Sequence, residues 1–193
     1  MLLAALIRRR SNIARLALAR CVLFATFVLA TDPVTAELLS EAQIKAAFLY
    51  NFTRFVEWPE GAFATPQDPL VIGVFGEDGL TADLQAIVAG RRVNGRAIIV
   101  RNVEDESDAA VAQVLFISAA VDARLDTLHG SLADRAVLTV GESSAFAASG
   151  GVILFVERGG KLRFEINMAA AARAQVKVSA ELQKLATAVR SAP

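Results

Sequence analysis

Hydrophobic and polar positions fall in blocks along this chain, and the period of each block predicts its element. Ile44, Phe48, Phe52, Phe55 and Val56 recur at the spacing of one stripe of an α-helix. Lys45, Asn51 and Thr53 lie off that stripe. Ser40 followed by Gln43 reads as a capping box at its start. Pro59 predicts its end, because the residue before a proline is pushed out of the helical region.

The next block has no period. Residues 70–76, "LVIGVFG", are continuously apolar and bounded by turn residues, which predicts a strand buried on both faces. Leu80, Leu84, Ile87 and Val88 then return to helical spacing, with Gly90 as the stop. Asn94-Gly95 predicts a turn into a second strand, 97–103. "EDESD" reads as a polar loop, "QVLFIS" as a third strand, "VDARLDTLHG" as a short helix, "AVLTVG" as a fourth strand and "ESSAFAAS" as a helical turn. Two alternating runs around Gly159-Gly160 predict a hairpin over 151–167. "MAAAARAQ" and "AELQKLATAVR" close the chain as helices, with Ser179 capping the second. The order predicts an α/β layered sandwich, with a mixed, mostly parallel sheet, a C-terminal β-hairpin and flanking helices.

The first 36 of the 193 residues do not fit that series. Arg8, Arg9, Arg10, Arg15 and Arg20 precede a ten-residue apolar run, Cys21 to Ala30, and then small residues at Val34 and Ala36. A basic start, a short apolar run and a small-x-small site predict a signal peptide over 1–36, a domain over 37–193 and a periplasmic location. The run falls well short of the roughly 20 apolar residues of a membrane span. Removing five of the 20 basic residues and one of the 20 acidic ones leaves 15 against 19, a net charge of −4. A mildly acidic chain with no basic stretch speaks against a nucleic-acid partner. Cys21 is the only cysteine, so the domain after Ala36 has no disulfide.

Signals for catalysis are sparse. His129 is the only histidine and sits at a predicted helix end before Gly130, where a cation suits the helix dipole. Neither a zinc site nor a thiol nucleophile can be assembled from one histidine and no cysteine. "GESSA" lacks the G-x-S-x-G spacing of a nucleophile elbow. "GVFGEDG" has G-x-x-G-x-x-G instead of the dinucleotide spacing, and Glu77 and Asp78 would repel a phosphate. These observations predict no enzyme and no cofactor or metal.

Two groups remain as binding candidates. Arg163, Glu165 and Asn167 share one face of a strand, with Phe164 and Ile166 on the other. That polar ledge is either a solvated sheet edge, with Asn167 capping the next helix, or a partner or ligand contact. Trp58, beside Glu57, either closes the core or anchors an interface.

Five blocks together carry a family resemblance: "KAAFLYNFTRFVEWP", "VIGVFG", "VLFIS", "VLTVGESSAFAASGGVILFVERGGKLRFEINMAAA" and "VSAELQKLA". In this order they resemble the YfiR family of exported bacterial proteins, from about Ile44 to Ala186. The resemblance implies a small periplasmic α/β protein without catalytic activity. It would bind the periplasmic sensor region of an inner-membrane diguanylate cyclase, or a related sensor kinase, and so repress cyclic di-GMP signalling and biofilm formation. It further implies that an outer-membrane peptidoglycan-binding lipoprotein can sequester the repressor. Well-known members carry disulfides tied to redox sensing, and the lack of cysteine after Cys21 removes that switch here. A homodimer is left open. The alternative is a periplasmic receptor for a metabolite or cell-wall fragment, with Arg163 holding an anionic group.

Overall fold

The structure, a computed structural model, describes residues 39–76 and 78–191, with the backbone alone at Asp78. The expected signal segment with Cys21, and the Glu77 and Asp78 side chains, lie outside the described residues.

Helix α1 (Glu41–Phe55) starts at the predicted capping box. Ser40 Oγ accepts from the Gln43 amide at 3.1 Å, and Gln43 Oε1 accepts from the Ser40 amide at 2.9 Å. The helix stops at Phe55, four residues before Pro59. The cause is tertiary: Val56–Glu57 form a short strand, β1, antiparallel to β9 (Lys177–Val178), and the Ser179 amide donates to Phe55 O.

The main sheet has eight strands: β2 (Leu70–Phe75), β3 (Arg92–Val93), β4 (Arg96–Val103), β5 (Val114–Ile117), β6 (Leu138–Gly141), β7 (Ile153–Arg158), β8 (Lys161–Asn167) and β10 (Ala188–Arg190). Across the sheet they run β10-β8-β7-β6-β5-β2-β4-β3. The β4-β2-β5-β6-β7 block is parallel, β3 and the β7–β8 hairpin pair antiparallel, and β10 lies parallel to β8. The fold is α/β with a mixed, mostly parallel sheet, as the sequence predicts.

Both predicted tight turns form with left-handed backbone at each central residue: Asn94 (φ 50°) with Gly95 (φ 82°), and Gly159 (φ 59°) with Gly160 (φ 69°). Two expectations change. "EDESD" is not all loop, because Asp105 caps a short helix α3 (Glu106–Ala109), accepting from the Ser107 and Asp108 amides. The last predicted helix ends at Leu185, and Ala188–Arg190 pair with β8 instead. Thr187 directs that crossing, its amide and its hydroxyl both donating to Phe164 O.

Helices cover the sheet unequally. One face is packed by α1, α2 (Asp78–Val88), α6 (Met168–Arg173) and α7 (Ala180–Leu185) around Ile72, Phe116, Leu138, Phe155, Phe164 and Ile166. Phe48 and Phe52 of α1 stack and tilt against Phe155 and Phe164 with ring centroids 5.1–6.0 Å apart. The opening aromatic block is therefore a core helix. Its stripe differs from the simple reading: Ile44, Phe48 and Phe55 are half-buried, while Lys45 and Thr53 are buried. The helix touches the sheet, α2 and α7 together, so its buried arc is wider than one stripe. On the other face α3, α4 (Leu125–Leu132) and α5 (Ser144–Ala148) pack around Leu115, Ile117, Leu128, Val137 and Phe146. No helix among the described residues is long and apolar enough to cross a membrane.

Candidate functional site

The second set of helices packs over β2, β5 and Leu154 of β7. Beyond Leu154, that face of β7, β8 and β10 is exposed at Arg158, Lys161, Arg163 and Arg190. Strand register fixes which residues it carries. Arg163 lies opposite Val156, Glu165 opposite Leu154, and Lys161 opposite Arg158; Arg190 lies beside Asn167. Residues so paired point to the same side of a sheet. The face therefore holds four cations, Arg158, Lys161, Arg163 and Arg190, and one carboxylate, Glu165.

The predicted polar ledge is thus real, but it is not a sheet edge, since β10 lies outside it. Glu165 is its pivot, accepting from Arg158 Nη2 and Arg190 Nη2, each at 3.2 Å, from the strands on either side. Asn167 is committed to structure: its Oδ1 accepts from the Ala170 amide at 3.0 Å and caps α6. Arg163 is exposed and forms no ion pair with any described residue. It and Lys161 are the cations here with charge to spare.

Trp58 lies elsewhere. Its indole Nε1 donates to Gln113 O at 3.2 Å, beside the start of β5. Gln113 is itself held, its Oε1 accepting from the Val71 amide and its Nε2 donating to Ala62 O. The ring is half-buried against the core and borders a cavity of about 400 Å³ with Phe63, Leu70, Val93 and Arg96. Arg96 stacks over Phe63, 3.7 Å from the ring centroid, and donates to Thr65 O and Asp68 O. Glu57 is exposed in β1. Strand β6 lies between this region, at β5 and beyond, and the cationic face of β7, β8 and β10, so the five predicted residues form two places and not one.

A charged site that sequence spacing missed sits at the carboxyl ends of β5 and β6. Lys45, only 6% exposed, reaches from α1 to Glu142, Nζ to Oε2 2.6 Å, and to Glu41 at 3.1 Å. Glu142 Oε1 accepts from the Ala119 amide, and the ammonium lies 5.7 Å from the Phe116 ring centroid. Connections from β2 and β5 leave here toward opposite faces. In open α/β sheets such a switch point is the usual ligand crevice. Here a buried ion pair fills part of it, and Val121 closes on Gly76. The i,i+4 pairing of Lys45 with Glu41 is local, but nothing local marks Glu142, which is 97 residues away.

His129 does lie in the last turn of α4, but burial lowers its pKa, Asp126 opposes that shift, and Arg173 adds to it. The neutral imidazole is favoured, which removes the expected cation at that helix end. Among the described residues, no group of three or more His, Cys, Asp or Glu converges as metal ligands.

Fold and surface together define a small α/β domain with a charged sheet face. The chain belongs to the YfiR/HmsC-like family, whose model matches residues 42–187; this is a regulatory, non-catalytic family linked to diguanylate cyclases. Comparison with the curated proteins found no match. Among solved structures, it resembles a conserved domain protein from Vibrio cholerae O1 biovar El Tor (12% identity, TM-score 0.47, 79% of this chain and 61% of that one). It also resembles the ABC domain solved in complex with L-Trp from Streptococcus pneumoniae (13% identity, TM-score 0.50, 77% and 60%). The aligned part spans about three-fifths of each of those chains. At such identity the second likeness speaks to the fold alone.

Proposed function

We propose that this protein is a periplasmic regulator that binds the periplasmic sensor domain of an inner-membrane diguanylate cyclase, or of a related sensor kinase, and represses its output. Cyclic di-GMP signalling and biofilm formation then fall. The family supports a regulatory role, and the pattern of residues 1–36 supports export. The observation that carries the reading is the cationic face of β7–β8–β10. Four cations against one carboxylate give it a net charge of plus three, on a chain whose remainder is acidic. Complementary charge steers encounter and fixes orientation, so the matching partner surface is acidic. Repression requires the complex to favour the inactive state of the sensor, since a ligand shifts an equilibrium only by its differential affinity. An outer-membrane peptidoglycan-binding lipoprotein competing for the same face would relieve repression.

The test is a pull-down from membranes of the source bacterium, with the purified protein as bait and its Lys161→Glu/Arg163→Glu variant as control. The expected result is a membrane protein with a periplasmic sensor and a cytoplasmic cyclase or kinase domain, captured by the parent and lost with the variant. Capture should also weaken as salt rises, since exposed charges are screened. Absence of any such protein, with a folded bait, overturns the repressor reading. Equal capture by the variant would place the contact elsewhere, with the Trp58 region next in line.

A further inference from the structure

The sheet parts between β6 and β7. Their ladder joins only Val140 to Ile153 and Gly141 to Leu154. Before it, the Val152 amide donates to the Thr139 hydroxyl at 3.1 Å, so a side chain replaces the backbone partner. The opening is a cavity of about 260 Å³ bordered by the ends of α4 and α6.

Its lining has two characters. Leu132, Val137, Val152 and Ala170, all buried, make an apolar floor. Arg135, Arg173 and His129 make the rim, and no carboxylate lines the cavity. Neither arginine forms an ion pair with any described residue. Arg173 Nη2 lies 3.0 Å from where a Cβ on Gly150 would sit, and Gly150 has a φ of +91°, so the guanidinium occupies room that a side chain would take. A last-turn arginine also suits a helix dipole. That role explains Arg173 alone, and leaves unexplained why Arg135, from the loop after α4, borders the same opening.

The geometry points to a binding site for a small organic carboxylate, its anionic end held by Arg135 and Arg173 and its apolar body resting on Leu132, Val137 and Val152. Guanidinium matches carboxylate as a two-pronged donor. The volume lies just under the range of drug-sized pockets and equals the liquid share of roughly nine waters, which limits the ligand to a compact molecule. This inference stands apart from the partner reading, for the cavity and the cationic sheet face share no residue.

Benzoate is the probe, titrated into the purified protein while backbone amide NMR shifts are followed. Saturable shifts at Thr139, Gly150 and Val152 are expected. Binding should weaken at least tenfold in Arg135→Gln/Arg173→Gln and should also be lost in Ala174→Phe, which plugs the half-exposed mouth without touching the floor. No saturable binding, or equal binding by the folded arginine variant, overturns the proposal. So does a response to inorganic phosphate without one to benzoate, because the apolar floor would then contribute nothing.

Discussion

Strands β5 and β6 are buried at every position, whereas β8 is buried only at Phe164 and Ile166. Both flanks belong to one sheet. What separates them is the number of helical layers: two over β5 and β6, one over β8. A strand covered on both faces reads as a continuous apolar run, and a strand covered on one face alternates. On the alternating flank every second residue is free to carry charge, and there the arginines and lysine gather. The doubly covered flank can hold charge only as a closed pair, which is how Lys45 and Glu142 occur.

The sharpest way to break this comparison is to truncate one side chain on each flank. Phe116 on β5 is fully buried, its ring centroid 6.2 Å from that of Phe155. Phe116→Ala should cost about 3–5 kcal/mol, the transfer term plus the cavity left behind. Arg163→Ala should change stability by no more than about 0.5 kcal/mol, as an exposed position without an ion pair among the described residues does. Urea unfolding midpoints measure both. A loss beyond about 1 kcal/mol for Arg163→Ala would mean that its face is part of the folded core and not a free surface.

A smaller effect tests the closed pair. Lys45→Met leaves Glu142 without its ammonium in a largely dry place. Loss of one partner of a fully buried pair costs about 3–5 kcal/mol, and the partial exposure of Glu142 (21%) lowers the expectation to about 1–3 kcal/mol. Adding Glu142→Leu should recover much of that loss, since the residual cost is an unpaired carboxylate. If the double variant is as unstable as the single, the pair serves packing of α1 and not charge balance.

These same residues show what the sequence could and could not reveal. The continuous run of β2, both glycine-containing turns and the α1 capping box were legible because each is decided by residues within one element. The early end of α1 was not, since β1 exists only through its pairing with β9, more than 100 positions on. The final helix failed likewise: a helical pattern in 180–190 yields after Leu185 to a parallel pairing with β8. The ledge of Arg163, Glu165 and Asn167 was readable from alternation alone. Its neighbours Arg158 and Arg190 were not, because register assembles them from three strands. Lys45 was misplaced because a lysine off the stripe is ordinarily solvated, and only the fold supplies Glu142.

The smallest expected effect lies at the seam between the flanks, where His129 is half-buried. Its folded pKa is held below the ordinary 6.5, first by burial and then by Arg173, against the pull of Asp126. The unfolded chain keeps a value near 6.5. As pH falls through that value the unfolded state takes up the proton first, so it binds more protons than the folded state. Stability therefore falls with pH across the interval between the two pKa values, is complete above it, and levels off below it. His129→Gln removes the titrating group and should flatten this segment of the stability–pH curve, read from urea midpoints between about pH 5 and 7.5. An unchanged slope in His129→Gln would show that the imidazole is as well solvated in the fold as in the unfolded chain. The seam would then be wetter than the half-burial of its histidine implies.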